Sequence, residues 1–297
     1  MISVTFLGTS DSVPSEKRNH TALLLNYKGE NILIDCGEGT QRQFRKAKLN
    51  PCKITRILLT HKHADHSLGI PGLLKTLELS GYGKTLYIYG PKGIKNFING
   101  LFDAFGNVKE YKIEVKEVSG KFFEADDFYL EAESMTHNVP CNAYSFVKKG
   151  QIRIDKKKLE KAKIPHGPIL QKLKLGKDIV HDGKKYRAKD LTYNEDGKKI
   201  SFIFDTSLNE KISDFVKDAD LLISESSFSS DLKERAKDYH HLTSEQAAET
   251  AKKAKVKKLI LTHISQRYER KMKQILSEAR KIFKNSFLVE DLDVVRV

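Results

Sequence analysis

Three histidines and one aspartate fall within six consecutive positions: His61, His63, Asp65 and His66. Imidazole nitrogens and carboxylate oxygens are the donors that zinc and similar transition ions take. The apolar run Ile57-Leu58-Leu59 stands directly before them and predicts a buried strand. A strand ending there leaves the next residues in a loop at the C-terminal edge of a sheet. His61 and His63, two apart, then project to one side, while Asp65 and His66 come round the turn to a neighbouring point. Four ligands from one loop either close a single site or divide between two adjacent ions. Spacing and strand context together mark a metal site rather than a solvated, histidine-rich turn.

Such a loop needs a sheet beneath it, and the chain states the plan for one twice. Segment 2–10 is similar to 200–207, and 31–36 to 220–225; Leu59-Thr60-His61 recurs as Leu261-Thr262-His263. The pairs keep the same order. Two similar α/β halves are therefore expected, packed sheet to sheet with helices outside, so that both sets of strand ends meet at one edge. Further strands are predicted at 84–89, 113–118 and 128–134. Apolar spacing predicts helices over 41–47, 71–79, 94–105, 244–254 and 270–283. Thr243 or Ser244, ahead of Glu245-Gln246, supplies a helix N-terminus.

Three more donors stand where a strand should end: His137, Asp205 and His263. With the loop they make seven ligands, too many for one tetrahedral ion and suited to two. Asp205, with two oxygens, could bridge them. Metals ~3.5–4 Å apart clamp the attacking and leaving oxygens of an in-line displacement at phosphorus.

Composition narrows the setting. At 297 residues the chain can bury a large core. No stretch approaches the ~20 apolar residues of a membrane span, so no membrane association is expected. The opening Met1-Ile2-Ser3-Val4-Thr5-Phe6 reads as a strand rather than a secretion signal. Cys36, Cys52 and Cys141 are scattered and odd in number, which fits a cytoplasmic protein better than a disulfide framework. The turn Gly37-Glu38-Gly39-Thr40 lacks the Lys-Ser/Thr of a phosphate loop, so no nucleotide cofactor is expected. The net charge is +14, and from Lys148 to Asp190 there are 15 Lys/Arg against 5 Asp/Glu. That block is either a solvated lysine face or a footprint for a polyanion. Residues 150–188 fit neither half, and predict a basic arm inserted into a single domain spanning 1–297.

Taken together, these residues resemble the metallo-β-lactamase superfamily, and within it the short-form ribonuclease Z family of tRNA 3′-processing endonucleases. The motifs that narrow the match are Phe6-Leu7-Gly8-Thr9-Ser10, Val13-Pro14, Lys17-Arg18-Asn19, Asp35-Cys36-Gly37-Glu38-Gly39-Thr40-Gln41-Arg42-Gln43 and Leu261-Thr262-His263-Ile264-Ser265-Gln266-Arg267-Tyr268. The segment around Pro165, Gly167, Pro168, Leu173 and Gly176 is similar to the family's protruding exosite. Three stretches depart from the pattern. Phe204-Asp205-Thr206-Ser207 stands for Gly-Asp-Thr-Arg, Ser224-Glu225-Ser226-Ser227 for His-Glu-Ala-Thr, and His241-Leu242-Thr243 for His-Ser-Thr.

The resemblance implies an αββα metallo-β-lactamase sandwich of two similar halves with a protruding basic arm. It implies a homodimer acting on precursor tRNA, the arm gripping the tRNA elbow. Chemistry and resemblance together place His61, His63 and His137 on one zinc, and Asp65, His66 and His263 on the other, with Asp205 shared; other divalent ions are possible. Asp65 is expected as general base beside the attacking water. Glu225 and His241 are expected to protonate the leaving ribose oxygen, or else only to orient a ligand histidine. Asp35 and Glu38 are expected to orient imidazoles. Lys17, Arg18, Asn19 and Arg267 are candidates for the RNA end. The implied products are a tRNA 3′-hydroxyl and a trailer 5′-phosphate. The competing reading is a small-molecule phosphodiester or sulfate ester hydrolase on the same scaffold.

Overall fold

The computed structural model describes residues 1–165 and 167–297; His166, inside the predicted arm, lies outside the described residues. The chain divides into two compact units. The first comprises residues 1–122, 130–146 and 199–297, and the second comprises 123–129 and 147–198. The basic insertion thus belongs to a unit wider than residues 150–188, one that recruits a second stretch of chain upstream.

In the first seven-stranded sheet the order is Val294–Arg296, Ile2–Gly8, Ala22–Tyr27, Glu30–Ile34, Arg56–Leu58, Leu86–Gly90 and Ile113–Glu117. Its first four strands pair antiparallel and the rest parallel. The second runs Ser286–Leu288, Leu259–Thr262, Leu221–Glu225, Lys198–Ile203, Cys141–Lys148, Phe128–Met135 and Gly120–Glu124. Its strands at 198–203, 221–225, 259–262 and 286–288 are parallel. Parallel strands covered on both faces read as unbroken apolar runs, which is why these stretches stood out without alternation.

Between the sheets Tyr27 meets Phe146 edge-on at 5.4 Å, and the Tyr144 hydroxyl donates to the Leu59 carbonyl at 2.7 Å. On the outer face of the first sheet, Leu24, Leu33, Ile57 and Ile88 pack beneath helices Thr40–Lys46, Ile70–Leu79 and Ile94–Phe105. Ile203, Leu222, Leu259 and Leu261 do the same beneath Glu210–Phe215, Ser244–Lys253 and Met272–Ile282. The layering is αββα. Thr243 does start its helix, in a capping box with Gln246.

The internal repetition holds in part. Glu30–Ile34 lies parallel and adjacent to Arg56–Leu58, as Leu221–Glu225 does to Leu259–Thr262. The leading strands differ. Lys198–Ile203 pairs directly with Leu221–Glu225, whereas Ala22–Tyr27 intervenes between Ile2–Gly8 and Glu30–Ile34.

The second unit has its own small core of Leu159, Ile164, Leu173, Ile179, Ala188 and Leu191. Gln151–Ile154 pairs antiparallel with Thr192–Glu195, and Ile179–His181 with Lys184–Tyr186. Asp155 caps the helix Lys156–Lys161 by accepting from the Lys158 amide. Its lysines at 156, 157, 172, 174 and 177 stay exposed.

Candidate metal centre

All the strand ends that matter belong to the first unit. Asp35 follows Glu30–Ile34, His61 follows Arg56–Leu58, Asp205 follows Lys198–Ile203, and His263 follows Leu259–Thr262. Parallel strands aim their C-terminal ends one way, and ligands of α/β sheets gather there. Asp35, Asp205 and His263 turn out of their strands with φ of 56°, 36° and 52°. Such left-handed geometry costs non-glycine residues about 1–3 kcal/mol and collects at functional sites. Asp65 and His66 lie on the short helix Ala64–Ser67 rather than in open loop. Gly37 lets that helix approach: a Cβ there would stand 2.2 Å from the Asp65 carbonyl oxygen.

The seven expected donors come together in two sets sharing one residue. His61, His63, His137 and Asp205 form one; Asp65, His66, Asp205 and His263 form the other. In the first, His63 Nδ1 lies 2.9 Å from His61 Nε2 and 3.3 Å from His137 Nε2. Asp205 Oδ2 lies 3.5 Å from His61 Nε2 and 3.9 Å from His137 Nε2. In the second, His66 Nε2 and His263 Nε2 are 3.0 Å apart. They stand 3.4 and 3.1 Å from Asp205 Oδ1, and 3.4 and 3.5 Å from Asp65 Oδ2. Each oxygen of Asp205 therefore faces a different set.

Donors 2.0–2.1 Å from a tetrahedral zinc stand about 3.3 Å from one another, which matches these separations. Asp205 Oδ1, deeply buried, accepts no hydrogen bond from protein, an unpaired state that a cation would relieve. The donor set therefore fits two divalent ions.

Electrostatics separates the sets. Burial holds His61 well below its usual pKa, helped by charge on His66, and burial lowers His63 and brings His137 to about 4. These imidazoles are neutral at pH 7, the form that binds metal. Burial also opposes charge on His66 and His263, yet the carboxylates of Asp205 and Asp65 outweigh it and raise both. Burial disfavours the Asp65 carboxylate too, but His66 and His263 keep it well below the usual range.

Behind the donors, Asp35 Oδ2 takes His66 Nδ1 at 2.7 Å and the Thr60 hydroxyl at 2.8 Å. Glu225, wholly buried, receives the Thr206 amide at 2.7 Å, the Ser227 hydroxyl at 2.8 Å and His241 Nδ1 at 2.9 Å. Burial would lower His241, but Glu225 and Asp205 raise it to about 9. His241 lines a cavity of ≈ 290 Å³ with His63, Asp65, His137, Asp205 and His263.

Two expectations fail. Arg18 is buried, donating to Thr9 Oγ1 at 2.7 Å and to the Val289 carbonyl at 2.9 Å, so it serves the fold rather than a phosphate. Glu38 is exposed, and its carbonyl, not its carboxylate, is engaged by Asn19. Lys17 is exposed, and Arg267 does line the cavity. Sequence reasoning missed Phe228, Arg235 and Tyr239, which share that cavity: Arg235 lies over the Tyr239 ring at 5.6 Å and Arg267 over Phe228 at 5.2 Å. Nothing in their spacing marks them. Thr60 and Ser227 were missed as well, though each stands within two positions of a candidate.

Comparisons with known proteins cover the whole chain. It is 36% identical to a ribonuclease Z of Nanoarchaeum equitans over 98% of this chain and 92% of that one. It is 37% identical to that of Methanosarcina acetivorans (98% and 97% covered) and 38% to one from Bacillus cereus (97% and 96%). The crystal structure of human tRNase Z, short form, superposes with a TM-score of 0.73 at 28% identity, covering 99% of each chain. The metallo-β-lactamase fold protein YhfI of Bacillus subtilis gives 0.72 at 20% identity over 99% and 98%, a likeness of fold. The family model described as anti-Pycsar protein Apyc1 matches residues 2–117. That stretch holds the loop from His61 to His66 but not His137, Asp205 or His263.

Proposed function

This chain belongs to the ribonuclease Z family, metal-dependent tRNA endonucleases of metallo-β-lactamase fold, and on that premise we propose that it removes the 3′ trailer from precursor tRNA with two zinc ions. The observation carrying the two-ion reading is Asp205, with one oxygen toward each donor set. His61, His63 and His137 would hold one ion, Asp65, His66 and His263 the other, and Asp205 both. A bound ion pair supplies an acidified water and a clamp on the phosphate oxygens.

The chain's own groups divide the remaining work. Asp65, kept ionised, is the general base beside the attacking water. Glu225 takes the Nδ1 proton of His241 in a hydrogen bond, which turns Nε2 toward the cavity. From there His241 gives a proton to the departing ribose 3′-oxygen, leaving a 3′-hydroxyl on the tRNA and a 5′-phosphate on the trailer. Tyr239, exposed beside the cavity, offers a ring face to an unpaired base, with Phe228 buried behind it, and Arg235 and Arg267 offer charge to the phosphates. The exposed lysines of the second unit supply the polyanion footprint, reading tRNA by shape rather than sequence. Resemblance supports a homodimer acting in the cytoplasm. Among the described residues no helix is long and apolar enough to cross a membrane.

The test is to incubate purified protein and zinc with one precursor tRNA and map both new ends. Cleavage abolished by EDTA, with the ends named above, is expected. Intact precursor beside brisk hydrolysis of a cyclic nucleotide would instead favour the small-molecule reading.

A further inference from the structure

Thr60 and Ser227 occupy matching places behind the two donor sets. Each is buried, and each hydroxyl lies against one carboxylate and one near imidazole Nδ1. A second Nδ1 stands at 3.4 Å, that of His66 beside Thr60 and of His241 beside Ser227, and its own proton goes to the carboxylate. Thr60 Oγ1 is 2.8 Å from Asp35 Oδ2 and 3.0 Å from His61 Nδ1. Ser227 Oγ is 2.8 Å from Glu225 Oε2 and 2.9 Å from His263 Nδ1. Ser227 Oγ also sits 3.0 Å from the His263 carbonyl.

A hydroxyl has one proton to give. At Ser227 two acceptor-only oxygens, the Glu225 carboxylate and the His263 carbonyl, already compete for it. A ring nitrogen at 2.9 Å that also needed that proton would leave an oxygen facing an oxygen with nothing between. His263 Nδ1 must therefore bring its own proton and donate. The same count at Thr60 makes His61 Nδ1 a donor, since Asp35 Oδ2 takes the hydroxyl proton. With Nδ1 protonated, the lone pair of each neutral ring is left on Nε2, the atom that faces Asp205.

We propose that Thr60 and Ser227 are paired tautomer locks, each positioning one ligand histidine, His61 or His263, with Nε2 bare toward its own metal ion. This rests on the two-ion reading above. The locks are not equivalent. Asp35, behind Thr60, also holds a second ligand, His66, directly, whereas Glu225, behind Ser227, also holds His241, which belongs to neither donor set that includes Asp205. Ser227 thereby ties one metal ion to the proposed proton donor, and Thr60 does not.

The test is zinc titration of wild type, Thr60→Ala, Ser227→Ala and Ser227→Thr by calorimetry, with histidine ¹⁵N NMR of the zinc-loaded proteins. Loss of an imidazole's outer partner weakens a metal by roughly 10–100-fold. Ser227→Ala should weaken one of two sites to that extent and speed solvent exchange of the His263 Nδ1 proton, with the His61 proton unaffected. Thr60→Ala should do the reverse, and Ser227→Thr should behave as wild type. Should either alanine variant prove unfolded, the wild-type spectrum still decides: protons on Nδ1 of both His61 and His263 are required. Two full-affinity sites in Ser227→Ala, or a proton on Nε2 of either ring, would overturn the locks. Wild type that binds no zinc would instead sink the metal reading beneath them.

Discussion

Glu225 Oε2 and His241 Nδ1 stand 2.9 Å apart, the carboxylate wholly buried and the imidazole at the cavity wall. The pair is placed to keep a proton ready on a group that can reach substrate. Replacing His241 with alanine should cut kcat by roughly 10²–10⁴-fold while both metals stay bound, the usual worth of a positioned acid. Metal analysis beside steady-state kinetics checks this; lost metal would mean that the pair only steadies His263. The sign of the pH effect follows from the raised pKa. Imidazolium exists below about 9 and is lost above it, and the two proposed cations, once bound, would pull that limit lower. The rate should therefore fall on an alkaline limb that Glu225→Gln moves to lower pH.

Asp205 serves both donor sets, so its loss should not be local. Asp205→Ala is expected to lower occupancy of both ions, whereas Asp65→Ala should spare the ion at His61, His63 and His137. Asp65→Ala should still lose at least ~10³-fold in rate, being ligand and base together. Equal metal loss from the two variants would contradict the shared role.

Metal uptake should release protons unevenly. In protein stripped by a chelator, His61, His63 and His137 are already neutral at pH 7, because burial lowers them. His66 and His263 are raised by Asp205 and Asp65, and must give up protons to bind. One zinc step should thus be nearly pH-independent near neutrality, and the other should strengthen as pH rises. Calorimetry in buffers of different ionisation enthalpy counts those protons; equal release in both steps would refute the asymmetry.

If bases rest on the aromatic wall, Tyr239→Ala should raise KM for precursor tRNA several-fold. Base stacking of about 1–3 kcal/mol sets the ceiling. Tyr239→Phe should be mild. Hydrolysis of a small aryl phosphodiester should hardly change, since it has no base to stack. Parallel losses on both substrates would point to misplaced helix rather than lost stacking.

The lysine unit makes a salt-dependent prediction. Reversing Lys156, Lys157, Lys172 and Lys174 to glutamate leaves the unit's core residues untouched. It should weaken tRNA binding and flatten its dependence on salt, by somewhat under one log unit for each phosphate that is no longer neutralised. Aryl phosphodiester turnover should be unaffected. Binding measured across a salt series decides; an unchanged slope would leave those lysines as ordinary solvated surface.

What the sequence by itself determined was the donor list and the sandwich. His61, His63, Asp65 and His66 sit close along the chain at the end of an apolar strand, and local spacing is legible without a structure. The repeated strand-plus-histidine pattern carried the second half of the fold, because doubly covered parallel strands are apolar throughout. Resemblance already suggested how the donors divide and that Asp35 and Glu225 stand behind them; only the tertiary structure decided which hydroxyls join those carboxylates and which motif residues turn away from the site. Arg18 lies in a motif that suggested phosphate, yet packing sends it inward to Thr9 and Val289. Ser227 and Thr60 acquire their roles from atoms 36 and 25 positions away, His263 and Asp35. Hydrogen bonds of 3 Å depend on where strands converge, and no one-dimensional pattern encodes that convergence.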